Sequence, residues 1–187
     1  PAAGQTRGCL NMPVVGVAIA IPEPHRAKLS AARHAAGDPM AAVIPPHVTL
    51  LPPTVIPGTD LDAFIDHLSS VADSHPAFTM RLAGTGSFRP VSPVVFVQVS
   101  EGISSCERLE RAIRSGPVER RLEFDYHPHV TIAHHVEDEA LDATARSTAD
   151  FVAEFPVVGF DLFEQGNDDV WRPLRTFSLE GAGRDRS

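Results

Sequence analysis

The pattern of apolar and polar residues predicts alternating strands and helices in the first half of the chain. The run "VVGVAIAI", from Val14 to Ile21, is almost continuously apolar, which is typical of a strand buried on both faces. We predict this strand, a helix over Pro24 to Ala36, a short strand at "HVTLL", a helix capped by Thr59 and ending at Ser74, and a strand over Phe78 to Phe88.

The same order of elements returns in the second half. We predict a strand over Val94 to Ser100, a helix over Ser104 to Ser115, a strand at "HVTIA", a helix over Glu137 to Glu154, and two final strands over Val157 to Gln165 and Val170 to Glu180. His47 follows Val14 by 33 residues, and His129 follows Val95 by 34. The repeat predicts an α+β fold of two similar lobes.

We expect one bilobal domain over residues 12–180, because no linker is long enough to separate independent domains. The lobes are expected at approximately 12–90 and 91–180. Residues 1–11 and 181–187 lack any pattern and are predicted to be a flexible extension and a flexible tail. Arg7 and the apolar run after it imitate a secretion signal, but the run is short and rich in β-branched residues, which favours a strand.

Charge and cysteine content exclude several classes of function. The formal net charge is −8, so the chain is not expected to bind long nucleic acids, although a small phosphorylated ligand remains compatible with it. The two cysteines, Cys9 and Cys106, are too few for a disulfide scaffold and predict free thiols in the cytoplasm. No apolar run reaches the ~20 residues that a membrane helix needs. We expect a monomer.

One tripeptide, His-Val-Thr, occurs at matching positions of the two halves. Residues i and i+2 of a strand share a face, so His47 and Thr49 point the same way, as do His129 and Thr131. If a pseudo-two-fold axis relates the lobes, two imidazoles and two hydroxyls converge on one cleft. A single His-x-Thr would be weak evidence, because histidine and β-branched threonine are ordinary strand residues.

Two imidazoles and two hydroxyls suit phosphodiester chemistry. The pKa of imidazole lies near neutrality, so one ring can accept a proton while the other donates one. The threonine hydroxyls would bind the non-bridging phosphate oxygens. This chemistry needs no metal, no cofactor and no covalent intermediate.

The chain resembles the two-histidine (2H) phosphoesterase superfamily in two segments, "PPHVTLL" and "HPHVTIA", which lie 82 residues apart. This superfamily includes bacterial 2′-5′ RNA ligase-like proteins and 2′,3′-cyclic phosphodiesterases. The resemblance, over roughly Met12 to Glu180, implies two mainly antiparallel sheets with flanking helices around a central cleft. It also implies metal-independent action on the 2′,3′-cyclic phosphates or 2′-5′ linkages of nucleotides or short RNA.

The resemblance also implies roles for individual residues. His47 and His129 match the catalytic positions, and Thr49 and Thr131 match the phosphate-binding positions. By analogy with the cyclic phosphodiesterases, His129 is the base for water and His47 is the acid for the leaving oxygen.

Four further residues are candidates for contacts with the substrate or with the catalytic pair. His134 stands where the RNA ligase-like branch often has an arginine, and it lacks the arginine fork, so the chain departs from that branch at this position. Phe88 could stack a base at the mouth of the cleft, and Arg89 could supply positive charge. His127 shares a strand face with His129 and could orient it or contact phosphate.

Two other functions remain open. The cluster of His127, His129, His134 and His135 could belong to a metallohydrolase, with Asp125 as a further ligand, although catalytic zinc sites usually gather three protein ligands. A nucleotide-binding or sensor module without catalysis would use the same cleft, but it would not need both histidines.

Overall fold

The computed structural model describes residues 12–118 and 120–180. Within these residues the strands are β1 (Val14–Ala20), β2 (His47–Val55), β3 (Phe78–Ser87), β4 (Val94–Glu101), β5 (His129–His134), β6 (Val152–Val157), β7 (Gly159–Gln165) and β8 (Trp171–Ser178). The helices are α1 (His25–Ala35), α2 (Leu61–Asp73), α3 (Ile103–Arg114) and α4 (Asp138–Ser147), and a single 3₁₀ turn (Gly58–Asp60) precedes α2. The predicted flexible segments, 1–11 and 181–187, lie outside the described residues.

The strands form two antiparallel sheets, ordered β2-β1-β7-β8 and β5-β4-β3-β6. We call them the first and second lobes. In each lobe a His-Val-Thr strand lies at the sheet edge beside the strand that begins its half of the chain, β1 or β4. The structure therefore confirms the predicted α+β fold with two related sheets.

The lobes do not follow the expected boundary near residue 90. Strand β3 from the first half of the chain pairs with β4 of the second lobe, and strand β7 from the second half pairs with β1 of the first. The halves therefore exchange strands, which a reading of consecutive elements could not detect. The exchange makes each lobe discontinuous in sequence.

A continuous apolar core connects the two sheets. It includes Val17 and Ile19 on β1, Val97 on β4, and the central valines of both motifs, Val48 and Val130. Both motif valines are fully buried, whereas the histidine and threonine on either side of each one are half-buried. The alternation expected for the motif strands is thus confirmed.

Apart from shifts of one or two residues at element ends, three features differ from the prediction. Helix α4 ends at Ser147, and Val152–Val157 forms β6, whose residues are alternately exposed and buried. Strand β2 continues to Val55 through two prolines, which is tolerated because β2 is an edge strand. Thr59 does not cap α2; it lies in the 3₁₀ turn, and its hydroxyl donates to the Asp60 carboxylate at 3.1 Å.

Over residues 12–118 and 120–180, no helix is both long and apolar enough to cross a membrane. Cys106 is a free thiol inside the core, where burial raises its pKa to about 12. The other cysteine, Cys9, lies outside the described residues.

Candidate active site

The two His-Val-Thr strands approach each other across the boundary between the lobes. Strand β2 pairs with β1, where His47 lies opposite Ala20 and Thr49 opposite Ala18. Strand β5 pairs with β4 in the same way, and β2 and β5 contact one another directly. Each histidine is the first residue of its strand, so both imidazoles lie at strand starts.

Both catalytic candidates are held in the same tautomer by the same local structure. The Nδ1–H of His47 donates to the Pro45 carbonyl at 2.8 Å, and that of His129 donates to the His127 carbonyl at 2.7 Å. A carbonyl can only accept, so Nδ1 carries the proton in both rings and Nε2 is left for proton transfer.

A proline separates each acceptor carbonyl from its histidine. Pro46 and Pro128 occupy this position in the two motifs. A residue before proline is restricted to extended backbone, which fixes the direction of the carbonyl that the imidazole meets. The proline common to both motifs therefore helps to orient the ring.

Burial favours the neutral form of both imidazoles. It is the main cause that lowers the pKa of His47, opposed by the Pro45 hydrogen bond and reinforced by the positive charge of Arg33. Burial also dominates in lowering the pKa of His129, and the charges of His127 and His47 lower it further. Because the charge of His47 lowers the pKa of His129, protonation of one ring disfavours protonation of the other.

Aromatic side chains form a wall around His129. The ring centroid of Phe88 lies 4.9 Å from that of His129, edge to face, and the centroid of Phe96 lies 5.1 Å away. The two phenylalanine rings contact each other at 4.4 Å. Phe88 thus packs into this wall, and the base-stacking role expected from the sequence stays a prediction.

Gly86 makes this wall possible, because a Cβ at its position would lie 2.6 Å from Cζ of Phe96. Phe96 was not among the residues predicted from the sequence, since it lies inside the apolar strand "VVFVQVS" and gives no separate signal. Its placement depends on the pairing of Gly86 with Phe96 across β3 and β4.

His127 is exposed beside this wall. Its ring stacks on that of His129 at 6.2 Å and meets both Phe88 and Phe96 edge to face. Its main-chain carbonyl, described above, orients His129. The structure therefore brings His127 next to His129, but His127 lies before β5 and does not share a strand face with His129.

His134 ends β5 next to a buried ion pair. Its ring stacks on His135 at 3.6 Å, and its backbone N–H donates to the Asp38 carboxylate at 3.1 Å. Burial is the first cause that lowers the pKa of His134, followed by the charge of His135, while Asp38 acts in the opposite direction. His134 is thus half-buried and tends towards the neutral form.

The ion pair itself was not predicted from the sequence. Arg33 and Asp38 are each only 5% exposed, and the Arg33 Nε lies 2.8 Å from the Asp38 carboxylate. Arg33 also donates to the Ile44 carbonyl at 3.2 Å. In the sequence Arg33 is indistinguishable from an ordinary helix-surface residue, and only the segment "GDP" after α1 marked a turn at Asp38.

Arg89 is engaged by two carboxylates of α4. Its guanidinium lies 2.6 Å from Asp142 and 3.5 Å from Asp138. These ion pairs raise the pKa of Arg89 and lower that of Asp142. The positive charge of Arg89 is therefore paired with two carboxylates of α4 in this structure, and its contact with a phosphate stays a prediction.

Within residues 12–118 and 120–180, no three His, Cys, Asp or Glu side chains are grouped so that they could hold a metal ion. His127 and His129 come together, but Asp125 does not complete a site with them. Metal independence itself remains a prediction for experiment.

Comparison with known proteins identifies the family. Residues 21–169 match the family model described as the 2′-5′ RNA ligase superfamily. The chain belongs to this superfamily. Over 144 residues it is 31% identical to a Bacillus cytotoxicus protein named "Putative phosphoesterase", and the match covers 76% of this chain and 83% of the relative. Superfamily membership assigns a phosphoesterase or 2′-5′ RNA ligase-like function at this coarse level.

Solved structures with the same fold include two bacterial proteins. TT0787 of Thermus thermophilus is 25% identical, with a TM-score of 0.66 over 90% of this chain and 98% of that one. Escherichia coli LigT, solved with 3′-AMP, is 20% identical, with a TM-score of 0.69 over 91% of this chain and 99% of that one. The bilobal fold of this superfamily member is therefore shared with both.

The lobes of this superfamily member are joined by polar contacts around the motif strands. Tyr126, just before β5, donates its hydroxyl to the Thr49 carbonyl at 2.9 Å. Arg120 donates to the Pro53 carbonyl of β2 at 3.2 Å. The loop before β5 therefore covers the outer edge of β2 and satisfies main-chain carbonyls that an edge strand would leave exposed.

Proposed function

We propose that the chain is a phosphodiesterase that opens 2′,3′-cyclic phosphates, or cleaves 2′-5′ linkages, of nucleotides or short RNA by general acid/base catalysis. The observation that carries this proposal is the matched state of His47 and His129. In both imidazoles Nδ1 is hydrogen-bonded to a main-chain carbonyl, which leaves Nε2 available for proton transfer. The charge of His47 also lowers the pKa of His129.

The proposed reaction uses one imidazole in each protonation state. The neutral His129 takes a proton from water at Nε2 while the water oxygen bonds to phosphorus. The bond from phosphorus to the ribose 3′ oxygen breaks, and the protonated His47 gives that oxygen its proton. The product is a 2′-phosphate with a free 3′ hydroxyl, and solvent restores both rings to their starting states.

The lowered pKa of His129 fits its role as the base, whereas the acid role of His47 requires the substrate to raise the pKa of that ring. A base must be neutral at working pH, and burial favours the neutral form of His129 by lowering its pKa. The acid must hold a proton, and the negative charge of a bound phosphodiester favours the protonated form of His47. Substrate binding would thereby set up the catalytic state.

Thr49 and Thr131 are the proposed phosphate ligands. Each lies two residues after its histidine on the same strand face and is half-buried. Their hydroxyls would donate hydrogen bonds to the non-bridging oxygens, where negative charge grows during attack.

Small nucleotides are the proposed substrates. LigT, the fold neighbour, has been solved with 3′-AMP, NADP+ and ATP, so that protein binds nucleotides. The net charge of −8 disfavours long nucleic acids, whose binding depends on many Lys and Arg contacts to phosphate. We further propose that the protein acts in the cytoplasm as a monomer.

The test is turnover of 2′,3′-cyclic AMP and of 2′-5′-linked dinucleotides with EDTA present, followed by phosphorus NMR of the product. The proposal predicts hydrolysis of at least one of them, with a 2′-phosphate from the cyclic substrate. Activity that disappears in EDTA and returns with zinc would support the metallohydrolase instead. Tight binding without turnover would support the sensor module.

A further inference from the structure

The segment that leads into His47 is held through its main-chain carbonyls. Pro45 and Pro46 have no N–H, so neither residue can donate a main-chain hydrogen bond. Three successive carbonyls accept one hydrogen bond each: Ile44 from Arg33 at 3.2 Å, Pro45 from the His47 ring at 2.8 Å, and Pro46 from the Ile21 N–H at 3.5 Å. The Arg33 contact therefore lies one residue before the carbonyl that sets the tautomer of His47.

Asp38 holds the Arg33 guanidinium from the other side. Its carboxylate accepts from the Arg33 Nε at 2.8 Å and from the His134 N–H at 3.1 Å. His134 ends β5, the strand that begins with His129. One buried carboxylate therefore connects Arg33, and through it the segment before β2, with the strand of the second motif.

Stability alone does not explain why this pair is buried. Arg33 and Asp38 are each only 5% exposed. Removing two charges from water costs free energy that their attraction offsets only in part, and a pair of apolar side chains is often as stable. An apolar pair supplies no direction, however, whereas the planar guanidinium donates at fixed angles, here to Asp38 and to the Ile44 carbonyl.

The charge of Arg33 also acts on His47. It lowers the pKa of that ring in the same direction as burial, which is the largest cause, and the Pro45 hydrogen bond opposes both. The charged and titratable groups around His47 are Arg33, Asp38 and His134 behind the segment before β2, Arg26 in the pocket that His47 also lines, and His129 across the lobe boundary. Without the Arg33 charge, His47 should hold its proton to higher pH.

We propose that Arg33 is a positioning residue for His47, and that its pair with Asp38 aligns this imidazole with β5. By binding the Ile44 carbonyl, the guanidinium fixes the Pro45 carbonyl beside it, which keeps the proton on Nδ1 of His47 and leaves Nε2 for proton transfer. The proposal rests on the proposed function for the acid role of His47. Arg33 is buried behind the segment and acts through His47.

The double variant Arg33→Met/Asp38→Asn removes the guanidinium contact and both charges together. It leaves no buried charge without a partner, so it should stay folded, and the new amide oxygen can still accept from the His134 N–H. With 2′,3′-cyclic AMP as substrate, kcat should fall about tenfold and KM should stay close to the wild-type value, because a reacting group is misplaced. A folded double variant with wild-type kcat, or with a raised KM and unchanged kcat, would overturn the proposal.

NMR of protein labelled with ¹⁵N at histidine tests the position of His47 without turnover, with the signals assigned by their loss in His47→Gln. In the wild-type protein the neutral ring should carry its proton on Nδ1. In the double variant the Pro45 carbonyl is no longer fixed, so both tautomers should be populated, and the pKa of His47 should rise because the Arg33 charge is gone. An unchanged tautomer and pKa in the folded double variant would contradict the proposal.

The matched control is Arg114→Met/Glu110→Gln on α3. Glu110 is 4% exposed and pairs with Arg114 one turn later, and among the described residues the Arg114 guanidinium bonds to Glu110 alone. This variant should leave kcat, KM and the His47 tautomer unchanged. A loss of kcat equal to that of Arg33→Met/Asp38→Asn would show that the effect is not specific to Arg33, and would overturn the proposal.

The positioning role and the proposed function can fail separately. If the wild-type protein shows no turnover but the double variant changes the His47 tautomer, the proposed function is wrong and the positioning of His47 by Arg33 stands. If the wild-type protein turns over cyclic AMP and the double variant matches it in kcat and tautomer, the proposed function stands and the positioning role is wrong.

Discussion

The phenolic oxygen of Tyr126 lies 2.9 Å from the main-chain oxygen of Thr49, so the loop that leads into one motif is bonded to the strand that carries the other. At the far end of β5, the His134 N–H is bonded to Asp38 of the first lobe. Strand β5 is thus tied to the first lobe at both ends. These two contacts, together with the direct contact of β2 and β5, help to hold the motif strands together.

Tyr126→Phe removes the first of these contacts while keeping the ring. We expect a loss of about 1 kcal/mol in the free energy of unfolding. We also expect kcat to fall roughly tenfold, because small displacements of catalytic groups cost rate. Chemical denaturation and steady-state kinetics measure the two effects.

The matched control is Ser115→Ala, which also deletes a hydroxyl bonded to a carbonyl, that of Ala112 at 2.8 Å, but at the exposed end of α3. It should leave kcat unchanged. Equal kcat in Tyr126→Phe and wild type would show that this contact does not position the motifs.

Asp38→Asn tests the buried ion pair that holds Asp38 beside His134. It leaves the buried Arg33 without its carboxylate partner, and breaking a buried pair in this way costs about 3–5 kcal/mol. The free energy of unfolding should fall by that order. The comparison is Glu101→Gln, which breaks the exposed pair with Arg81 and should cost at most about 1 kcal/mol. Similar losses in both variants would contradict the structural role of the buried pair.

Gly86→Ala tests the aromatic wall. The added methyl would meet the Phe96 ring at 2.6 Å, so this ring, which contacts His129, must shift. Overpacking of this kind costs about 1–3 kcal/mol, and kcat should fall as well. Thermal unfolding and kinetics report both changes.

The control is the same substitution at Gly166, where the added methyl would meet the ends of the Arg172 and Asp168 side chains. Both side-chain ends can move aside into solvent, so Gly166→Ala should change neither the thermal unfolding nor kcat much. A Gly86→Ala protein as stable and active as Gly166→Ala would show that the wall is not needed.

The pKa of His129 should respond to the charge on His47. Burial, His127 and His47 all lower this pKa below the ordinary value of 6.5. His47→Gln keeps a polar side chain and removes the charge, so the pKa of His129 should rise, as followed by the pH dependence of its imidazole proton signals in NMR. His34→Gln, on the exposed face of α1, should leave it unchanged.

The same shifts fix the sign of a pH effect on stability. A histidine whose pKa is lowered in the folded protein binds protons more readily in the unfolded chain. The free energy of unfolding therefore decreases as pH falls below 6.5. The stability that the neutral rings contribute is present above that pH and is lost as pH falls through the lower folded values. The acid limb of kcat/KM should likewise have its midpoint below 6.5.

Local sequence patterns were enough to predict much of the fold and part of the candidate site. The apolar run at β1 and the alternation in both motifs were enough to predict the buried valines and the two outward-facing pairs. The proline before each histidine was visible too, although its effect on the ring tautomer depends on a carbonyl direction that only the folded backbone supplies.

The features that were not predicted depend mainly on contacts between residues far apart in the chain. The exchange of β3 and β7 between the lobes, the burial of Arg33 and the contact of Tyr126 with Thr49 join residues far apart in the chain, and nothing in the neighbouring sequence marks them. Strand β6 was missed for another reason. The alternation in "VAEFPV" was visible in the sequence, but its first residues were assigned to the predicted helix over Glu137 to Glu154.

The most direct test of the acid/base assignment is kcat for hydrolysis of 2′,3′-cyclic AMP, in the presence of EDTA, by His47→Gln, His129→Gln and the control His34→Gln. General acid and base catalysis are each worth about 10²–10⁴ in rate, so each of the first two variants should lose at least ~10² in kcat while the control keeps the wild-type value. A His47→Gln or His129→Gln protein that is folded and turns over substrate within a few-fold of wild type would contradict the account.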